Sequence, residues 1–272
     1  MPRAGDAERR AASVCFVMIG SPSWLEENTP LLSNTPVIVQ MQSRIRQWKE
    51  TADDKALFLS CYMMMTSNML AASNQQEFSD PGWVSKLLHR FADYYFVALQ
   101  AYEHSPASAP RVWQLAHNAA ADPAMAAIRK LLLGVNAHIN YDLVLTLVDL
   151  LRPEWATLSA SQRADRYADH CRVNDVIGRT IDAVQDQVLE PAMPVMDIID
   201  KLLGPIDELL LSRLIAHWRE TVWLNATRLL AVEDAQEQAQ LVSKIEQEAL
   251  RIGDFICSNA NVSSSGRWQA AH

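Results

Sequence analysis

The sequence predicts an all-α protein organised as a single bundle-like domain, and three observations carry that prediction. Glycine supplies only 8 of 272 residues, too few for a turn-rich β-barrel or for a glycine-rich nucleotide cradle. From Val37 onward, apolar residues recur at helical spacings of three and four. No alternating strand pattern runs longer than four residues, and no internal repeat is present. With 49% hydrophobic and 21% charged residues, the chain has the balance of a folded protein.

The elements follow in order. Residues 1–35, broken by Pro22 and Pro30, read as an irregular N-terminal arm whose Trp24 is placed to cover a pocket mouth. Val37–Glu50 is the first helix. Asp53 or Asp54 caps a second, running to about residue 73, with Leu57, Phe58, Cys61, Met64, Met65 and Met69. Asp80-Pro81-Gly82 is a start signal for a third, to about residue 103. Pro106 and Pro110 punctuate before a short helix over Arg111–Ala121, and Pro123 opens a long one to residue 151, ended by Pro153. Ser159 or Ser161 caps a helix to residue 190, where Pro191 and Pro194 break it. A short helix over 196–203, a long one over 206–232 and a last over 234–257 complete nine. The domain therefore spans 36–258, its neighbouring helices antiparallel because the connections are short, and 259–272 is a flexible tail.

Charge and cysteines exclude several classes. With 24 Lys+Arg against 32 Asp+Glu, the net charge is −8, so no basic face awaits a phosphate backbone and nucleic acid is not an expected partner. Cys15, Cys61, Cys171 and Cys257 are scattered without a C-x-x-C pair, as free thiols in a reducing compartment are. The apolar run 11–20 follows Arg9-Arg10. Asp6 and Glu8 stand in the would-be basic region, however, and no A-x-A site follows. A cytoplasmic protein without a membrane span is expected.

Function rests on polar residues misplaced in apolar helices. In the long fifth helix, His138 and Asp142 are four apart and share a face, with Gly134 one turn before and Asp149 two turns after. Asn136 and Asn140 form a second stacked pair, beside Tyr141. A buried carboxylate is costly alone, so Asp142 needs a partner, a metal or a solvated cavity. A second H-x-x-x-D unit, His89 to Asp93, lies on the third helix, next to Arg90 and Tyr94. Two such units are similar to those with which all-helical zinc-dependent phospholipases and single-strand nucleases hold their metals. That resemblance implies a divalent ion on His89, Asp93, His138 and Asp142. The further histidines of those enzymes have no counterpart here.

Residues 173–182 follow the outline of the N-D-x-x-S-x-x-x-E magnesium motif of class I terpene synthases, from Asn174-Asp175 to Asp182, with Gly178 for the serine. No D-D-x-x-D motif precedes them. A solvated face through Asp175, Arg179, Asp182 and Asp186 also accounts for these charges. On the eighth helix, Arg213, His217, Trp218, Arg219, Glu220 and Trp223 form a last polar group, read as an interhelical network or as an aromatic wall carrying one base or cation.

Three segments together resemble an uncharacterised, mostly microbial all-helical family of unknown function, over about 38–255. They are His89-Arg90-Phe91-Ala92, the stretch Asn136-Ala137-His138-Ile139-Asn140-Tyr141-Asp142-Leu143, and Val173-Asn174-Asp175. The resemblance implies a shared polar centre at Asn136, His138, Asn140, Asp142 and Asn174.

The leading expectation is a small-molecule enzyme: a cofactor-independent cyclase, lyase or isomerase acting on an apolar specialised metabolite in an aromatic helical pocket. His138, oriented by Asp142, acts as base or donor with Asn174. Asn136, Asn140, Tyr141, Arg90, Tyr94, Trp218 and Trp223 bind substrate. The alternatives are a metal-dependent hydrolase on the paired H-x-x-x-D units and a non-catalytic binding or scaffold bundle.

Overall fold

The fold is built around its most apolar helix. A computed structural model describes residues 37–186 and 208–258, and among them all regular structure is helical. Eight helices are present: α1 (Val37–Glu50), α2 (Lys55–Asn74), α3 (Pro81–His104), α4 (Arg111–Ala121), α5 (Ala127–Trp155), α6 (Ala160–Asp186), α7 (Glu208–Ala231) and α8 (Ala235–Ser258). These are the eight predicted helices that fall on described residues. The arm 1–35 with Trp24, the predicted helix 196–203 and the tail 259–272 lie outside them. By length and composition alone α2 and α5 could cross a membrane. In the fold, 50% and 78% of their most apolar windows are buried, as the inner helices of a bundle require.

Local chemistry sets the boundaries. Val37, Met41, Ile45 and Trp48 form the buried stripe of α1. Asp53, not Asp54, supplies the acceptor for α2, taking the Lys55 N–H at 3.0 Å. Asp80 caps α3 through the Trp83 N–H at 2.9 Å, with Pro81 in the first turn. Ser159 and Gln162 cap α6 reciprocally, side chain to backbone each way. Asp234 accepts from the Glu237 N–H at the start of α8. The scarcity of glycine has a local consequence: Ala52 and Gln76 occupy left-handed backbone (φ 53° and 58°) in the two turns flanking α2, where glycine would sit without strain.

Two boundaries differ from the sequence reading. After Pro123 the chain makes one more turn, with Asp122 Oδ1 accepting the Ala124 N–H, and α5 begins only at Ala127. Nor does Pro153 end α5; it lies in the last turn, and the helix continues to Trp155. So near the end its missing N–H costs a single ladder bond. Arg163 donates to the Trp155 carbonyl at 2.7 Å and lies over that indole at 4.6 Å, closing the helix end.

Within α5, residues His138–Asp142 form one π-helical turn between two α-helical segments, the Leu143 N–H reaching the His138 carbonyl. π-turns widen a helix locally and concentrate at functional sites. The π-turn packs against α3, α7 and α8, which places His138 and Asp142 at the centre of the bundle.

Candidate functional site

Asp142 is 1% exposed and takes two neutral partners. The Trp113 indole N–H donates to both of its oxygens, at 3.1 and 3.0 Å. His138 Nδ1 lies 2.9 Å from Oδ2. His138, 3% exposed, is enclosed by rings: Phe91 stacks on it at 3.5 Å between centroids and 6° between planes, and Tyr62 meets it edge-on at 4.3 Å. Gly134 makes part of this enclosure possible, because a Cβ there would fall 2.7 Å from the Phe58 ring, and Phe58 is another wall of the histidine, at 5.7 Å.

Burial pushes the Asp142 carboxyl well above the usual carboxylate range, the Trp113 hydrogen bond opposing it. Burial also holds His138 well below the ordinary imidazole value. Both shifts favour the uncharged form of the pair. In that form a proton on Asp142 directed at Nδ1 leaves the imidazole proton on Nε2. Nε2 is buried and has no hydrogen-bond partner among the described residues; the same holds for Nε2 of His117, but of the two only the His138 side chain lines a large apolar cavity.

His138 belongs to the wall of an apolar cavity of about 150 Å3. α2 contributes Phe58, Cys61, Tyr62, Met64, Met65, Thr66 and Met69; α3 contributes Leu87, Leu88 and Phe91. Ile177 and Ile181 come from α6, Leu211, Ile215 and Arg219 from α7. An apolar cavity of this size admits a benzene-sized guest, whereas a pocket for a drug-sized molecule holds about 300–1,000 Å3. Ile128 and Leu132 line both this cavity and a more open groove of about 600 Å3 bordered by Leu214, Trp218 and Phe255. The Cys61 thiol in the wall is pushed by burial up to about 12, so it stays protonated rather than serving as a nucleophile.

The remaining predicted site residues are distributed differently. Arg90 and Tyr94 both bind Asp149, Arg90 by Nε at 3.0 Å and Nη2 at 2.6 Å, Tyr94 by its hydroxyl at 2.7 Å. They form a separate, half-buried network. Asn140 donates to Asn136 at 2.9 Å, and Asn136 donates to the Ala249 carbonyl at 2.8 Å. This ladder ties α5 to α8 instead of presenting amides to a substrate. Tyr141 is 2% exposed in the core. Trp223 packs against Trp155, Tyr167 and His170, and Trp218 borders the groove. The cavity wall is thus methionine, leucine, isoleucine, phenylalanine and tyrosine, not the expected tryptophan.

The four-ligand metal set is not assembled. His89 is exposed and held by the Ser85 carbonyl at 2.7 Å, and Asp93 lies 4.0 Å from Arg90. Among the described residues no group of three or more His, Cys, Asp or Glu could hold a metal ion. Helical phase explains the separation: Leu87, Leu88 and Phe91 face the cavity, which turns His89 outward. The terpene-synthase outline fares similarly. Asp175 is exposed, Asn174 binds Arg219, and the side chains of Asp182 and Asp186 lie outside the described residues.

Two participants were not identified from sequence. Trp113 is 29 residues from Asp142 and carries no local signal of the pairing. Arg219, named only within the α7 polar group, reaches the cavity wall through its position among apolar residues of α7.

The model of a family of unknown function, DUF5995, matches residues 35–259. No curated protein and no solved structure matches the chain significantly.

Proposed function

We propose, for a chain that belongs to the DUF5995 family, that it is a small-molecule enzyme of cyclase, lyase or isomerase type, with His138 and Asp142 as its proton-transfer unit. The observation that carries this reading is the buried Nε2 of His138, without a hydrogen-bond partner among the described residues, in a side chain that lines an apolar cavity. Nε2–H donates to a substrate oxygen or carbon that gains electron density in the transition state. As that proton leaves, the Asp142 proton passes to Nδ1. The carboxylate so formed keeps the Trp113 N–H and gains the Nδ1–H. The return of a proton to Nε2 reverses both transfers, so the unit ends as it began. All of these transfers use side chains of the chain alone. The cavity holds a ring-sized apolar part of the substrate, and anything larger extends into the adjoining groove.

A second reading, a bundle that holds an apolar ligand without converting it, is favoured by the almost wholly apolar wall. One experiment separates the two. An extract from cells lacking the gene, where the substrate accumulates, is incubated with the wild type and with His138→Gln, and followed by mass spectrometry. The enzyme reading predicts a substrate consumed by the wild type and left by a folded His138→Gln. A compound retained by both proteins and altered by neither would establish the holder.

A further inference from the structure

The two halves of α5 have different neighbours. Its π-turn and the stretch Leu143–Trp155 pack on α7, whereas Ala127–Ala137 packs on α2, α4 and α8. Along that first half, two voids touch both α5 and α7: the apolar cavity of about 150 Å3 and the groove of about 600 Å3. α7 turns a different face to each. Leu211 and Ile215, four apart, border the cavity, and Leu214 and Trp218, four apart, border the groove.

Ile128 and Leu132, again four apart, line both voids and stand between them. Both are half-buried. The voids differ in chemistry. The cavity wall is almost wholly apolar, so a charged group inside it would find nothing to replace its water. The groove combines Leu214 and Phe255, 40% and 66% exposed, with Arg129, Glu248 and Arg251 at its border. It offers apolar surface and a polar edge together.

We infer that cavity and groove are one elongated site with Ile128 and Leu132 as its waist, and that its ligand is an elongated amphiphile. The uncharged end fills the cavity, the chain passes the waist, and the polar end stays in the groove. This rests on the reading that the cavity is the substrate site. The cavity alone admits only a ring-sized guest, and the groove supplies the further apolar area that a longer molecule buries. Ile128 and Leu132 thereby set the size of what passes.

The test titrates the full chain with benzene, benzoate and 4-phenylbutanoate, by calorimetry and by NMR of side-chain methyl signals. Met69 and Leu87 report on the cavity, Leu214 and Ile252 on the groove. Benzene should move the cavity signals alone, and 4-phenylbutanoate both sets, binding at least ~10-fold more tightly through its added methylenes. Benzoate, which would carry its charge into the cavity, should leave Met69 and Leu87 unmoved. Ile128→Trp, which fills the waist, should cut the advantage of 4-phenylbutanoate over benzene to less than ~3-fold, as its methylenes lose their path. Equal binding of benzene and 4-phenylbutanoate, cavity signals that respond to benzoate, or an advantage that survives Ile128→Trp overturns the joined site and leaves the cavity. Met69 and Leu87 signals that respond to none of the probes overturn the cavity reading as well. Should Ile128→Trp not fold, the three probes on the wild type decide alone.

Discussion

Asp142 and Asp149 are two carboxylates on one helix, seven residues apart, and the fold treats them in opposite ways. Asp149 receives a guanidinium and a phenol, with its side chain 27% exposed. Its partners spend their donors on it, and the three residues lock α3 to α5. Asp142, 1% exposed, receives an indole and an imidazole and no cation. An ion pair for stability belongs where water still screens it. A carboxyl sealed beside a histidine with an idle nitrogen suits proton transfer instead.

Asp142→Leu tests that contrast most severely. It leaves His138 Nδ1 and Trp113 Nε1 buried without partners, at ~1–3 kcal/mol each, so urea unfolding should show a loss of about 2–6 kcal/mol. A loss equal to that of Asp149→Asn would break the comparison. Gly134→Ala comes next. Its Cβ would meet the body of the Phe58 ring at 2.7 Å, and overpacking of this kind costs ~1–3 kcal/mol. Gly253→Ala, whose Cβ meets only the end of the Leu115 side chain, should cost less in the same assay.

Asp142→Asn keeps the shape of the site and exposes the electrostatics. Because burial raises the Asp142 value, the folded wild type retains a proton that the unfolded chain releases above the ordinary carboxyl value. That contribution is complete at low pH and is lost as pH rises toward the folded value. The stability deficit of Asp142→Asn against wild type should therefore be largest near pH 5 and shrink toward pH 8, by up to ~1.4 kcal/mol per pH unit. A deficit that grows with pH would show an ionised carboxylate. The smallest effect is that of Asp149→Asn, which weakens a half-exposed ion pair by ~1 kcal/mol or less and should leave binding of apolar probes in the cavity unchanged.

Much of this was legible in the residues. The helices announced themselves through period and caps, and His138 and Asp142 stood out because nearly everything around them in α5 is apolar. Outward His89 was readable too, since Leu87, Leu88 and Phe91 fix the phase of α3; spacing alone had suggested a metal set. The π-turn left no trace in composition; it sits where α3, α7 and α8 pack against the middle of α5, contacts that no local pattern announces. Trp113 and Arg219 needed tertiary structure. Each meets its partner from another helix, and a tryptophan or arginine in an apolar stripe does not say what it faces.

The imidazole nitrogen signals of His138, recorded at neutral pH without and with benzene in the cavity, decide whether Nε2 is the proton donor of the site. A proton on Nε2 that exchanges slowly with water is expected, with an Nε2 signal that shifts when the probe enters. An unprotonated Nε2, or one that stays unmoved while the side chains of Met69 and Leu87 respond to the bound probe, would contradict it.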